Sequence, residues 1–174
     1  MIEIKILKEC GYEEAMIGVS LSHGSTIERV KEIAEKLAHK QGGHNKFLES
    51  MMVWLDVRAP RYWWQQADTY RIATKQSEST MHTITKRLLT HEDFAAPLPN
   101  WLLDHLNKFI AAKDLDGLKI LLPEGFMQRR IWVVSYKTLQ NIVSQRSAHK
   151  LQEWREFAKI ISESLEHSEF IKGK

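Results

Sequence analysis

Apolar and polar residues alternate in three separate parts of the chain, and this pattern predicts three β-strands. Near the start, Ile2, Ile4 and Ile6 alternate with charged residues. The runs 53–57 (VWLDV) and 129–136 (RRIWVVSY) alternate or are rich in β-branched and aromatic residues, as half-buried strands are. Each predicted strand therefore has an apolar face that a second layer must cover.

Helical spacing of apolar residues predicts most of the other elements. The clearest helix covers residues 27–37, begins at a capping box of Ser25 and Glu28, and is expected to end at Gly42-Gly43. The other predicted helices are a short one at 11–21, one at 61–75 that begins after Pro60, one that begins at Pro99, and two at 138–146 and 148–167. We interpret residues 115–125 as a connection and 167–174 as a loose tail, and leave 80–98 unassigned. Strands far apart among helices are typical of an α+β fold.

The composition narrows the class of protein. The 174 residues fit one domain with a sizeable core, and 43% hydrophobic with 27% charged residues is normal for a soluble protein. The net charge of +3 suits an anionic small ligand and does not demand nucleic acid. Cys10 is the only cysteine, which excludes an intrachain disulfide and zinc sites built on paired cysteines. Because the first residues form a strand pattern and no apolar run approaches about 20 residues, we predict a cytoplasmic protein without membrane contact.

Few residues fall into well-known catalytic or ligand-binding patterns. The histidines lack the H-x-x-x-H spacing of a helical metal site, so no metal is predicted. No glycine-rich phosphate loop and no serine-centred hydrolase elbow occurs in the sequence. The adjacent Trp63 and Trp64 are more typical of a core or a subunit contact than of a platform for stacking bases.

Two arginines stand out from the scattered basic residues. Arg71 precedes a dense set of hydroxyl side chains, which either solvate a surface turn or hold a polar ligand: Thr74, Ser77, Ser79 and Thr80. Such a cluster alone is more typical of a capped turn. Arg146 ends an apolar helix, so its guanidinium is expected to be partly buried and to need an anion such as phosphate. An ion pair with Glu153 or Glu156 is the alternative, and composition alone favours it.

Several short motifs, taken in order, resemble the flavin-dependent thymidylate synthases. The signature of that family is Arg-His-Arg, seven residues and then Ser; here Thr69-Tyr70-Arg71 is followed by seven residues and Ser79. Upstream, GHNKFLE (43–49) is similar to the family's Gly-His-Glu-x-x-x-Glu, and VRAP (57–60) to its strand end. Gln66 matches the family's Gln three residues before the signature, and no gap is needed from 43 to 79.

Downstream motifs extend the resemblance over more than half of the chain. KILLP (119–123) is similar to the family's Arg-x-x-Leu-Pro, with Lys119 at the Arg. SYKTLQNIVSQR (135–146) is similar to Asn-x-Arg-x-x-x-Asn-x-x-x-x-Arg, where Asn141 and Arg146 match and Lys137 replaces an Arg. The segment from His149 to Arg155 looks like the family's His-x-x-x-Glu-x-Arg helix.

The resemblance implies a fold and a reaction. The fold would be a small, mostly antiparallel sheet packed with helices, in a single domain of residues 1–174. In the family, FAD lies between the subunits of a homotetramer. Reduced flavin, supplied by NADPH, acts with methylenetetrahydrofolate to methylate C5 of dUMP, a pyrimidine deoxynucleotide monophosphate, without a cysteine nucleophile.

The resemblance also implies roles for individual residues. Arg146 would be the catalytic residue, because a fixed cation can stabilise charge that develops in the pyrimidine ring. The nucleotide would be held by Gln66, Ser77, Ser79, Lys119 and Arg146. The flavin or the folate would be held by His44, Glu49, Thr69, Tyr70, Arg71, Lys137 and Asn141.

The sequence also departs from the family pattern. Thr69 and Tyr70 replace the first Arg and the His of the signature, Ser77 stands where Glu or Gln is usual, and Met81 stands where Arg is usual. Each lost arginine removes charge-assisted contacts worth about 1.5–3 kcal/mol. Three functions stay open: this thymidylate synthase reaction, a related flavin- and folate-dependent transfer such as hydroxymethylation to another pyrimidine nucleotide, and nucleotide binding without catalysis. The altered signature favours the second or third, because a changed pocket often means a changed substrate.

Overall fold

A four-stranded antiparallel sheet forms the centre of the computed structural model, which describes residues 1–24, 26–40 and 42–172. The strands lie in the order β1-β2-β4-β3 and are β1 (Glu3–Cys10), β2 (Met52–Pro60), β3 (Ala73–Ser77) and β4 (Met127–Ser135). β2 pairs with β4 along its whole length, from Met52 opposite Ser135 to Pro60 opposite Met127. The three strands predicted from alternation are confirmed, and β3 adds a fourth at the sheet edge.

Helices surround the sheet. Within the described ranges they are α1 (Tyr12–His23), α2 (Ile27–Ala38), α3 (Arg61–Ala67), α4 (Thr80–Thr83), α5 (Asn100–Ala111), α6 (Leu115–Leu121), α7 (Tyr136–Arg146) and α8 (Gln152–Ser164). Short 3₁₀ turns cover Lys46–Glu49, His91–Asp93 and Ser168–Phe170. The predicted α+β class with a small antiparallel sheet is confirmed. In the same ranges, no helix combines the length and the apolar character needed to cross a membrane.

The inner face of the sheet packs against an aromatic cluster. Val53, Leu55 and Val57 point inward from β2 and are fully buried, as their alternation predicts. Ring centroids 4.5–6.1 Å apart connect the members of the cluster, which are Trp63, Trp64, Trp132, Trp154 and Phe157. Because each aromatic side chain buries about 150–250 Å², the cluster fixes α3 and α8 against the sheet. Trp63 and Trp64 are therefore core residues, as predicted.

A second, smaller core lies in the part of the chain between β3 and β4. We call it the 84–126 cluster, and its buried members are Ile84, Leu89, Phe94, Leu106, Ile110, Leu118, Leu122 and Phe126. The backbones of Phe94 and Phe126 form an isolated antiparallel bridge, and their rings meet edge to face at 5.8 Å. This contact holds residue 94 against the residue that precedes β4.

The predicted helix over 61–75 is wrong beyond Ala67. The chain turns at residues 68–72 and then forms β3, so Arg71 lies in a turn and not on a helix. Lys75 anchors the strand, because its ammonium lies 5.1 Å from the Trp132 ring centroid and 3.7 Å from Asp68. Pairing of β3 with β4 also satisfies the backbone hydrogen-bonding groups of both strands. This tertiary stabilisation outweighs the local preference of residues 73–77 for a helix.

The interpretation of residues 115–125 as a plain connection is also wrong. The segment forms α6, and the side chain of Asp114 caps it by accepting a hydrogen bond from the Gly117 N–H at 2.8 Å. Leu118 on this helix is fully buried in the 84–126 cluster. The cap at Asp114 and the burial of Leu118 stabilise a short helix that the sequence pattern did not show.

The predicted end of the helix at 27–37 and the predicted loose tail at 167–174 also differ from the structure. α2 ends at Ala38, and Gly42 and Gly43 form a later turn at φ of 76° and 85° instead of ending the helix. The tail is not loose at Phe170 and Ile171, whose side chains are buried in the main core. Ser25 of the predicted capping box and residues 173–174 lie outside the described residues.

Candidate ligand-binding site

A cavity of about 980 Å³ lies between α7 and the turn of residues 68–72, and we call it the α7 cavity. Six of the seven residues predicted to hold flavin or folate line it: Glu49, Thr69, Tyr70, Arg71, Lys137 and Asn141. The other lining residues are His39, Ile72, Thr138, Gln140, Val143, Ser144, Ser147 and Ile171. The structure thus brings together residues that are up to 92 positions apart between Glu49 and Asn141.

The start of α7 determines which side chains face the cavity. Ser135 caps the helix, because its Oγ accepts a hydrogen bond from the Thr138 N–H at 3.2 Å. Leu139 and Ile142 are buried in the core on one side of the helix. Residues 137, 141 and 144 follow helical spacing on another side, so α7 presents a polar stripe to the cavity.

Hydrogen bonds hold the turn that carries Arg71. Thr69 Oγ1 donates to the Gln66 carbonyl at 2.7 Å, and Lys75 Nζ donates to the Tyr70 carbonyl at 3.1 Å. Burial lowers the pKa of Lys75, and the charge of Asp68 partly offsets that effect. Within the described ranges the Arg71 guanidinium makes no hydrogen bond or ion pair, so it is available to a ligand.

The chemistry of the wall suits a ligand with an anionic end and a flat apolar part. Arg71 and Lys137 carry positive charge, whereas Glu49 is the one carboxylate among the described lining residues. Ile72, Val143 and Ile171 add apolar surface, and several hydroxyl and amide groups add neutral donors. No group of three or more His, Cys, Asp or Glu residues could hold a metal ion in the part of the chain that the structure describes.

Arg146 lies beside the cavity, and its hydrogen-bond partners among the described residues are neutral. Its Nε donates to the Tyr70 hydroxyl at 2.8 Å, and its Nη1 lies 3.5 Å from Gln66 Oε1. The guanidinium carbon lies 4.9 Å from the Trp154 ring centroid and 5.6 Å from that of Tyr70. Such contacts with rings stabilise a cation without neutralising it, so Arg146 keeps its capacity to bind an anion or a carbonyl oxygen.

The ion pair that composition favours for Arg146 is absent from the described residues. Glu153 instead accepts a hydrogen bond from Tyr62, and Glu156 accepts one from Gln152 at 2.7 Å. Burial raises the pKa of Tyr62, and the bond to Glu153 raises it further. Both carboxylates are thus occupied within or beside α8, and that alternative is wrong.

His149 adds no positive charge beside Arg146. Burial lowers the pKa of His149, and the charges of Arg146, Arg155 and Lys150 lower it further. Its Nδ1 accepts a hydrogen bond from the Leu151 N–H at 3.1 Å. A neutral imidazole at neutral pH follows from both observations.

The other predicted residues lie away from the α7 cavity. Ser77 ends β3 and Ser79 precedes α4, so Ser77 is roughly 13 Å along the strand from Ala73 at about 3.3 Å per residue. Lys119 on α6 reaches α4, with its Nζ 3.3 Å from Thr80 Oγ1. His44 lines a different cavity of about 560 Å³ beside α1. In one chain, the residues predicted to bind the nucleotide therefore form two groups, Gln66 with Arg146 and Ser77 with Ser79 and Lys119.

Sequence reasoning missed part of the cavity wall. Ser144 lies three residues after Asn141 and seven after Lys137, a spacing that could have placed it on the same polar stripe. No pattern in the sequence identifies Ile72 as a wall residue. A helix was predicted at this position, whereas the structure has a turn in which the Ile72 side chain is 83% exposed. Gln145, which accepts a hydrogen bond from the Tyr70 hydroxyl at 2.9 Å, was also missed.

Comparison with known proteins supports the fold. No family model and no curated protein sequence matches the chain. A crystal structure of thymidylate synthase X (ThyX) from Helicobacter pylori with FAD and dUMP is similar at a TM-score of 0.82 and 16% identity, over 99% of this chain and 100% of that chain. A second structure of this flavin-dependent enzyme, from the same organism and also complexed with FAD and dUMP, gives 0.84 and 18% over 98% of both chains. The fold that the sequence motifs predicted is confirmed: this chain has the fold of the flavin-dependent thymidylate synthases.

Proposed function

We propose that residues 1–174 act as one flavin-dependent domain that methylates C5 of dUMP, with methylenetetrahydrofolate as the carbon donor and NADPH as the source of reducing equivalents. The observation that carries the proposal is the α7 cavity, which gathers Glu49, Thr69, Tyr70, Arg71, Lys137 and Asn141 on this fold. The motifs predicted the same six residues for flavin or folate from widely separated parts of the sequence.

The residues of the cavity fit FAD. Arg71 and Lys137 can bind the negatively charged diphosphate, and Asn141 can donate a hydrogen bond to it. The apolar side chains of Ile72 and Val143 can contact the isoalloxazine ring system. When bound and reduced, FAD supplies the hydride that completes the methyl group.

Arg146 has the properties that a pyrimidine-binding cation requires. It is half-buried, it has no carboxylate partner among the described residues, and Gln66 lies beside it. A fixed guanidinium next to a carbonyl oxygen of the base would stabilise negative charge that develops in the ring. Gln66 would orient the same nucleotide by donating from its side-chain amide.

The separation of the predicted nucleotide-binding residues supports a site between subunits. None of Ser77, Ser79 and Lys119 lines the α7 cavity of its own chain. Ser77 ends β3, Ser79 follows it, and Lys119 on α6 contacts the neighbouring Thr80. A homotetramer would bring one chain's Ser79 group to a neighbour's Arg146 group. Light scattering of the purified protein tests this assembly, and a monomer that turns over substrate would contradict it. We also propose a cytoplasmic location, without nucleic acid or membrane partners.

A related reaction is the second candidate, and the contacts of the altered signature favour it. Thr69 Oγ1 donates to the Gln66 carbonyl and the Tyr70 hydroxyl contacts Gln145 and Arg146, so neither side chain offers a positive charge to the cavity. A ligand there would meet less charge than the Arg-His-Arg signature provides. The corresponding function is transfer of another one-carbon unit, such as hydroxymethyl, or transfer to another pyrimidine nucleotide.

The visible absorption spectrum of the purified protein tests both candidates first. Flavin retained after FAD is added and the sample is dialysed supports a flavoenzyme. The protein would then be given dUMP or dCMP with methylenetetrahydrofolate and NADPH, and the product mass would identify the base and the carbon unit. No retained flavin, even with nucleotide present, contradicts both candidates and leaves nucleotide binding without catalysis.

A further inference from the structure

We propose that Tyr70 is a positioning residue that orients Arg146 and joins it to the wall of the α7 cavity. The inference rests on the proposed function, in which Arg146 contacts the pyrimidine. Tyr70 stands where the family signature has His, so the role is argued from the contacts of this chain alone.

A directed row of hydrogen bonds connects Arg146 to the cavity. Arg146 Nε donates to the Tyr70 hydroxyl at 2.8 Å, and that hydroxyl donates to Gln145 Oε1 at 2.9 Å. Gln145 Nε2 then donates to Asn141 Oδ1 at 3.1 Å. Every hydrogen in the row points from Arg146 towards Asn141, which lines the cavity. Because each acceptor oxygen is engaged, the Asn141 amide keeps its NH₂ group for a ligand.

The opposite side of Arg146 is held by Gln66. The Trp154 Nε1–H donates to Gln66 Oε1 at 2.8 Å, and Arg146 Nη1 lies 3.5 Å from the same oxygen. The Gln66 oxygen is therefore occupied, and its NH₂ group remains the donor on that side. The Gln66 NH₂ group and Arg146 Nη2 therefore offer hydrogen-bond donors alone. Such a pair of donors fits a carbonyl or phosphate oxygen of a ligand and rejects an amino group.

Two aromatic rings fix the plane of the guanidinium. Tyr70 and Trp154 meet edge to face with centroids 6.0 Å apart, and Arg146 lies over both rings. Trp154 is fully buried in the aromatic cluster, so its position is rigid. Tyr70 is half-buried and also lines the cavity. A ligand in the cavity would therefore touch the side chain that sets the direction of Arg146.

The Tyr70→Phe variant tests the role, because it keeps the ring and removes only the hydroxyl. The Arg146 Nε–H signal in a ¹⁵N NMR spectrum of the ligand-free protein, assigned with Arg146→Lys, reports the bond directly. We expect the exchange of this hydrogen with water to become about tenfold faster or more in Tyr70→Phe. Tyr62→Phe is the matched control, because it removes a hydroxyl that bonds to Glu153 and does not touch Arg146; there the exchange rate should stay unchanged.

Kinetics then separate positioning from a general structural role. Tyr70→Phe should lower kcat about tenfold or more and change the Kd for FAD by less than about threefold, since the ring that lines the cavity is kept. An unchanged Arg146 exchange rate overturns the proposal, and so does an equal loss of FAD affinity and kcat. If the wild-type protein neither retains FAD nor converts a nucleotide, the proposed function fails, and the exchange rates alone decide the role of Tyr70.

Discussion

The hydroxyl of Tyr136, the first residue of α7, donates a hydrogen bond to the carboxylate of Glu9 in β1. The same phenol oxygen accepts from the His167 N–H at 3.3 Å, and the Glu9 carboxylate accepts from the Glu166 N–H at 3.1 Å. One buried phenol and one carboxylate thus join the first strand, the cavity helix and the end of the chain. Burial raises the pKa of Tyr136, and the bond to Glu9 raises it further.

The stability of the protein should therefore fall above about pH 10. A phenol whose pKa is raised by folding stabilises the protein fully below the unfolded pKa of 10.0, and this contribution is lost as the pH rises towards the folded pKa. At pH 11 the loss from Tyr136 alone is about 1.4 kcal/mol. In urea unfolding between pH 8 and pH 11, Tyr136→Phe should show a pH dependence smaller by this amount. Identical pH dependence in both proteins would show that the phenol ionises equally when folded and unfolded.

Removing Arg146 should abolish turnover and spare the fold. Arg146→Ala removes the cation proposed to stabilise charge in the pyrimidine, so kcat is expected to fall by about 100-fold or more. The lost hydrogen bonds come from a charged donor, so the free energy of unfolding should fall by about 1.5–3 kcal/mol, and the protein should still fold. Arg29→Ala, an exposed position on α2, is the matched control and should keep full activity. Turnover that survives in Arg146→Ala would reject the assignment.

A methyl group at Gly11 should destabilise the protein. Gly11 precedes α1 with φ of +88°, and an added Cβ would clash with the Ser50 carbonyl oxygen. We expect Gly11→Ala to lower the free energy of unfolding by more than about 2 kcal/mol. Gly24→Ala is the control, because φ there is +57° but, among the described residues other than its chain neighbours, no atom lies within 4 Å of the new Cβ; about 1 kcal/mol is expected. Equal losses in urea unfolding would mean that the Ser50 contact has no effect.

Neutralising Asp68 should loosen the turn that carries Arg71. Asp68 lies 3.0 Å from Arg130 Nη1 and 3.7 Å from Lys75 Nζ, and both cationic side chains are largely buried. Asp68→Asn leaves two neighbouring cations without their shared carboxylate, and because Asp68 is half exposed the expected loss is about 1–2 kcal/mol. High salt should reduce the difference from wild type. Asp104→Asn, at an exposed position on α5, should change stability by less than about 0.5 kcal/mol. A similar loss for both variants would contradict the prediction.

The sequence predicted the elements whose pattern reflects burial on one face. β1, β2 and β4 alternate because one side of the sheet is covered, and α8 carries its apolar stripe towards the aromatic cluster. β3 was missed because its residues ATKQS are mostly polar and its stability comes from pairing with β4. α6 was missed because Gly117 lies within it and Pro123 follows it, two residues that usually signal a connection.

For the candidate site too, the sequence predicted one part and missed another. The cavity residues on α7 and the turn at 69–71 could be identified from motifs, because their spacing along the chain is fixed. Gln66 was also identified from its motif, but the contacts of Gln66 and Trp154 with Arg146 could not be predicted, because the two side chains reach Arg146 from different helices. Composition alone favoured Glu153 or Glu156 as the partner of Arg146, yet Tyr62 and Gln152 occupy these carboxylates.

The 84–126 cluster is formed by one continuous segment of the chain and has its own apolar centre, so it meets the physical description of an independent cooperative unit. Its amides should exchange through a sub-global opening, at a lower free energy than those of the main sheet. Lys119 lies on this unit, whereas Arg146 packs against Trp154 of the main core. Among the predicted nucleotide-binding residues, Lys119 would therefore lie on a segment that opens separately, whereas Ser77 lies in the main sheet and Arg146 lies against the main core.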